Sequence, residues 1–200
     1  MGQASTLYAA LFQPVPELLK AGLLVTTRSV QGIALYSPAG STASLTPLIL
    51  WKAEPGKTYD LRITDEFDAA TPPWRLNAVT SPVDFAKVAA WNGRTLTRDG
   101  LYRLRISETG RALTACEYTF QTVKKDLDLP PDGTTNPLHE ALRILTDTPS
   151  RVGDALAILL TMPPDIAASE LALRLKLRAF GQLSFQADYD EVTAALQTTQ

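Results

Sequence analysis

The chain has 200 residues and a mass of 21.7 kDa, is 45% apolar and 20% charged, and can therefore bury a core of ordinary size, though it is too short for a typical (β/α)8 barrel. Nineteen basic and twenty-one acidic residues leave a net charge of -2, which supplies no field to hold nucleic acid or an anionic membrane surface. One cysteine, Cys116, excludes an internal disulfide, a Cys-rich zinc site and a CxxC redox pair.

Residues 1–22 read as a short helical segment: Leu7, Tyr8, Leu11 and Phe12 recur at helical spacing until Pro14. The segment lacks a basic n-region and is not read as an intact signal peptide, and no apolar run approaches the roughly 20 residues of a membrane span. From residue 23 to about 125 the period changes from 3.6 to 2. Residues 24–27 and 32–36 read as strands, and residues 37–41, with Pro38 and Gly40, as a turn. Residues 48–52 are apolar on both faces, as in a central strand. Residues 58–64 alternate cleanly, with Tyr59, Leu61 and Ile63 on one side and Asp60, Arg62 and Thr64 on the other. Tyr102, Leu104 and Ile106 alternate with Arg103 and Arg105, and Cys116, Tyr118 and Phe120 form the inward set of a further strand. Residues 74–80 are compatible with a strand, and residues 83–90 with either a strand or a helical turn.

Residues 126–137 carry Pro130, Pro131, Gly133 and Pro137 among acidic residues, which is linker composition. Beyond them, residues 138–200 return to a 3.6 period and read as a bundle of about four helices, with Asn136, Ser150 and Asp165 as expected N-caps and Gly181 as an expected C-cap. Charge divides at the same place: residues 1–125 carry +4 and residues 126–200 carry -6. The expected fold is therefore α+β in two parts, an antiparallel β-sandwich with a short N-terminal helix and a C-terminal helical bundle.

The order Tyr36-Ser37-Pro38, Leu48-Ile49-Leu50-Trp51, Gly56 to Ile63 and Gly100 to Ile106 resembles an immunoglobulin-like or fibronectin-type-III-like module over residues 31–123. Arg178-Ala179-Phe180-Gly181 followed by Tyr189-Asp190-Glu191-Val192 is similar in texture to tetratricopeptide-like helix hairpins, without a 34-residue repeat. The sandwich resemblance implies display or sensing rather than catalysis, and a setting in the periplasm or outside the cell.

Three groups of side chains are candidates for function. Trp74 and Trp91, read as loop residues, together with Arg94, are candidate ligand contacts, since exposed indoles stack on sugar rings. Asp65, Glu66 and Asp68 place three carboxylates in one loop, a candidate calcium site without EF-hand spacing. Arg62, Arg103 and Arg105 on outward strand positions, continued by Arg111, form a candidate basic stripe that would meet either the chain's own acidic tail or an acidic partner. His139 has no catalytic constellation around it in sequence, and Cys116 reads as a small core hydrophobe. No phosphate-binding glycine frame occurs. The expected function is non-enzymatic, protein–protein contact without a cofactor; the alternative is a carbohydrate- or small-ligand-binding module using the loop tryptophans and the acidic loop.

Overall fold

The computed structural model describes residues 33–111, 115–124 and 136–198. The expected N-terminal helix, the strand at 24–27 and most of the proline-rich linker lie outside the described residues.

Among the described residues the chain is an α+β protein, β-sheets followed by a helical C-terminal region. The strands are β1 (Leu35–Ser37), β2 (Gly40–Thr42), β3 (Leu48–Trp51), β4 (Tyr59–Asp65), β5 (Trp74–Val79), β6 (Val83–Asp84), β7 (Leu101–Glu108) and β8 (Cys116–Thr122). They form a three-stranded sheet in the order β1-β3-β6 and a five-stranded sheet in the order β2-β8-β7-β4-β5. The second sheet is mixed rather than antiparallel, because β2 runs parallel to β8. That pairing corrects the reading of residues 37–41 as a turn. Pro38 and Gly40, the latter at φ 74, let the chain leave β1 in one sheet and enter β2 in the other. Residues 83–91, ambiguous in sequence, form the two-residue β6 and then two 3-10 turns, Phe85–Lys87 and Ala89–Trp91.

The clean alternations become the inner face of the larger sheet. Tyr59, Leu61 and Ile63 of β4 sit beside Leu104 and Ile106 of β7 and Tyr118 of β8, and all are buried. Leu35, Ile49 and Trp51 of the smaller sheet enter the same core, so the two sheets share it. The opposite face of the smaller sheet supplies Tyr36, Ala34 and Leu50 to a second core. The double apolar character of residues 48–52 follows from this placement: β3 is the middle strand of a sheet covered on both sides.

The second core is otherwise helical, built by α1 (Pro137–Asp147), α2 (Val152–Leu160), α3 (Pro164–Ala167), α4 (Glu170–Gln182) and α5 (Gln186–Thr198). Leu138, Ala141, Leu142 and Leu145 of α1 recur on one buried face, and the Asn136 side chain accepts from the Leu138 amide at 3.0 Å with Pro137 in the first turn. The other expected caps differ. Ser150 lies in a 3-10 turn, Pro149–Arg151, and bonds to Ser41 instead; Asp165 lies inside α3; the side chain capping α4 is that of Ser169; and α4 continues past Gly181 to Gln182. Proline at 149, 163 and 164 and the left-handed Ser184 (φ 57) fix the breaks between helices.

Direct contacts join the helices to the sheets. Gly153, in the first turn of α2, meets the Ala39 backbone so closely that an added Cβ would stand 2.4 Å from its amide nitrogen. The Asp154 carboxylate accepts from the Ala43 amide at 3.1 Å, and the hydroxyls of Ser41 and Ser150 are 3.0 Å apart. Tyr36 donates to Asp188 of α5 at 2.9 Å, and Lys52 pairs with the same oxygen at 2.6 Å. No helix of the described residues is long and apolar enough to cross a membrane.

Candidate functional site

The acidic loop follows β4 directly. Asp65, at the strand end, turns its Oδ1 back to accept from the amides of Phe67 (2.9 Å) and Asp68 (3.1 Å). Asp68 in turn accepts from the Ala70 amide at 3.0 Å and the Thr71 hydroxyl at 2.5 Å, and these donors hold its carboxyl below the ordinary aspartate range. Glu66 points to Arg103, 2.6 Å away. The three carboxylates thus cap a turn and pair with a sheet arginine rather than converging on a common point. Among the described residues no group of three or more His, Cys, Asp or Glu side chains is arranged to hold a metal ion.

Trp74 opens β5 and Trp91 closes a 3-10 turn, so neither is the exposed loop residue its sequence context suggested. Each is only 3% exposed. Trp91 packs on Phe85 with ring centroids 4.8 Å apart and donates its Nε1 to the Arg75 carbonyl at 3.2 Å. Trp74 packs against Phe85 and Tyr102, and the Arg94 guanidinium covers it, 4.3 Å from the ring centroid. Arg94 is held there by a hydrogen bond to the Pro72 carbonyl. A ring face closed by core side chains and by an arginine is no platform for a sugar, so the stacking role assigned to these indoles is not realised. Asp65, Asp68, Trp74 and Arg94 do meet at one cleft of about 470 Å³, whose rim carries Phe67 with 72% of its surface exposed. Arg94→Ala is expected to open Trp74 to acrylamide quenching of its fluorescence and to cost about 0.5–1 kcal/mol of stability, a small value because the guanidinium itself is only half-buried.

The outer face of the five-stranded sheet gathers the arginines. Register places Arg62 of β4 opposite Arg75 of β5 on one side and Arg105 of β7 on the other, with Glu117 of β8 beyond Arg105. Four adjacent strands therefore carry Arg, Arg, Arg and Glu in one row. Arg103 lies in the neighbouring row between Thr64 and Thr119, and its charge is met by Glu66. Asp60 is occupied by the Ala78 amide and the Thr109 hydroxyl, both at 3.0 Å. Arg62 and Arg75 are exposed and have no ion-pair partner among the described residues. Like charges directly opposite one another in a sheet are unfavourable by roughly 0.2–1 kcal/mol, so folding stability alone does not favour the exposed pair Arg62–Arg75.

The stripe read from sequence thus exists on one face, and it includes a member that reading missed. Arg75 was legible as the outward residue between Trp74 and Leu76 once residues 74–80 are a strand. Phe67 was legible as an aromatic set among turn carboxylates. Arg111, the expected extension of the stripe, lies instead beyond the end of β7, within 3.7 Å of Glu108. His139 is exposed in the first turn of α1, and Cys116 is buried in the shared core. Comparison of the chain with protein-family models, with curated proteins and with solved structures finds no match.

Proposed function

We propose that this chain is a non-catalytic protein-interaction module that receives an acidic segment of a partner protein on the outer face of its five-stranded sheet. The observation that carries the reading is the in-register row Arg75–Arg62–Arg105, with Arg75 and Arg62 exposed and Arg105 half-buried, set on paired strands. Phe67, exposed in the loop that follows β4, offers an apolar anchor at the end of the same strand that carries Arg62. The two sheets share one core among the described residues, as those of an immunoglobulin-like or fibronectin-type-III-like sandwich would, and that likeness supports a display role. Residues 138–200 are read as a second unit joined through 126–137, and the helices described in that unit pack with Tyr36 and Leu50 of the smaller sheet, not with the arginine row.

A fluorescent oligoglutamate peptide titrated against the full chain tests this. Anisotropy should show saturable binding that weakens as salt is raised, with oligolysine inert, and Arg62→Glu should lower affinity about tenfold. Binding that ignores both salt and Arg62→Glu would sink the proposal. A companion variant separates function from folding. Arg62→Thr removes the central like-charge neighbour and should raise thermal stability, by a few tenths of a kcal/mol, while weakening the peptide. A loss of stability in that variant would mean that the row is held together by contacts within the fold.

A further inference from the structure

A second cleft, of about 310 Å³, lies where α1 and α2 meet the chain between β2 and β3. Arg151 opens into it. This arginine is only 7% exposed, and a guanidinium is costly to bury unless its donors are satisfied. Its Nε donates to Asp154 at 2.9 Å, and Asp154 is itself fixed by the Ala43 amide on the same oxygen, which orients the guanidinium plane. The terminal nitrogens Nη1 and Nη2 have no acceptor among the described residues, yet they are not among the side-chain atoms sealed from solvent without a partner. They therefore keep some solvent access, and because Arg151 lines the cleft they stand as an unpaired two-pronged donor at its wall. Such a fork matches a carboxylate or a phosphate.

The remaining lining selects between those two. Glu140, half-buried on α1, faces the same cleft and has no side-chain partner among the described residues. Arg151 and Asp154 balance each other, so Glu140 leaves the cleft with an uncompensated negative charge. A dianion is repelled by that arrangement. A carboxylate on the Arg151 fork, carried by a molecule whose ammonium turns to Glu140, satisfies both groups, and Leu48, Ile144 and Ile158 give its carbon skeleton an apolar wall. We propose that this cleft binds a small amino carboxylate, of the free α-amino acid class, with the carboxylate on Arg151 and the ammonium at Glu140. None of the residues lining this cleft belongs to the arginine row, so the proposal does not rest on the acidic partner.

Calorimetric titration of the full chain with each of the proteinogenic amino acids tests the proposal, with isovalerate (carboxylate without amine), isoamylamine (amine without carboxylate) and inorganic phosphate as comparison ligands. One or more amino acids with a small or apolar side chain should bind saturably, and isovalerate, isoamylamine and phosphate should each be at least about tenfold weaker. Glu140→Gln, a near-isosteric change at a half-buried position whose carboxylate has no side-chain partner among the described residues, should weaken the amino acid about tenfold and leave isovalerate unchanged. Arg151→Lys, if it folds, should weaken both. Absence of saturable binding by every amino acid, phosphate binding tighter than any of them, or a Glu140→Gln variant that binds as the parent does would each overturn the assignment.

Discussion

Replacing Tyr36 with alanine is expected to lower the stability of the chain by about 3–5 kcal/mol, the cost typical of deleting a buried aromatic ring. Tyr36 belongs to β1 but faces the helices, where its ring centroid lies 5.8 Å from that of Phe180 and 5.7 Å from that of Phe185. Its hydroxyl donates to Asp188, which is 8% exposed and also receives Lys52. The substitution therefore removes three aromatic or polar contacts between the sheet and the helical region at once. Denaturant unfolding followed by circular dichroism measures the loss, and Tyr36→Phe divides it: with the ring kept and the hydroxyl gone, the cost should fall to about 1–2 kcal/mol. A Tyr36→Ala variant as stable as the parent would mean that the helices do not lean on this sheet face. The same phenol carries a pH signature. Burial first, then its bond to the Asp188 carboxylate, push its pKa well above the ordinary tyrosine range. A group whose folded pKa is raised contributes fully below its unfolded pKa. Its share of stability should thus be intact up to about pH 10 and be lost as pH rises from there towards the folded value, a loss absent from Tyr36→Phe.

Gly153→Ala gives the second large effect, and its sign is the informative part. Helix propensity alone makes alanine better than glycine inside a helix by about 1 kcal/mol. Here the new Cβ would stand 2.4 Å from the Ala39 nitrogen and 3.1 Å from the carbonyl oxygens of Ala39 and Tyr36. All three are backbone atoms of the β1–β2 crossing and cannot swing aside, so α2 must lift from the sheets. Lifting it stretches the Asp154 to Ala43 and Ser150 to Ser41 hydrogen bonds as well. Net destabilisation of about 2 kcal/mol is expected, in the range of overpacked cores, and differential scanning calorimetry reads it as a lower Tm. A higher Tm would show that α2 does not approach the sheets this closely.

How much of this was legible beforehand depended on whether the determining contacts were local. The alternation of Tyr59, Leu61 and Ile63 with Arg62 records a strand with one wet and one dry face, and the structure has that strand as β4. The helical region was legible in the same way from Leu138, Leu142 and Leu145. The parallel pairing of β2 with β8 was not, because it joins residues some eighty positions apart and leaves no mark on either three- to seven-residue strand. Residues 48–52 did carry a usable signal of the second core, being apolar on both faces, but a central strand between two sheets or beneath helices gives the same pattern. Trp74 and Trp91 were misplaced because flanking Pro72-Pro73 and Asn92-Gly93 announce turns without telling whether the indole beside them points in or out. The arginine row needed register, since Arg75, Arg62 and Arg105 become neighbours only when three strands are aligned.

The measurement that tests the functional account most directly is a two-dimensional NMR titration of the full, isotope-labelled chain with the oligoglutamate peptide. The account predicts that shifts at saturating peptide cluster on the outer face, at Arg62, Arg75, Arg103, Arg105 and the Phe67 loop, and that residues of α1, α2 and α4 stay in place. Shifts centred on the helices, with the arginine row undisturbed, would contradict it.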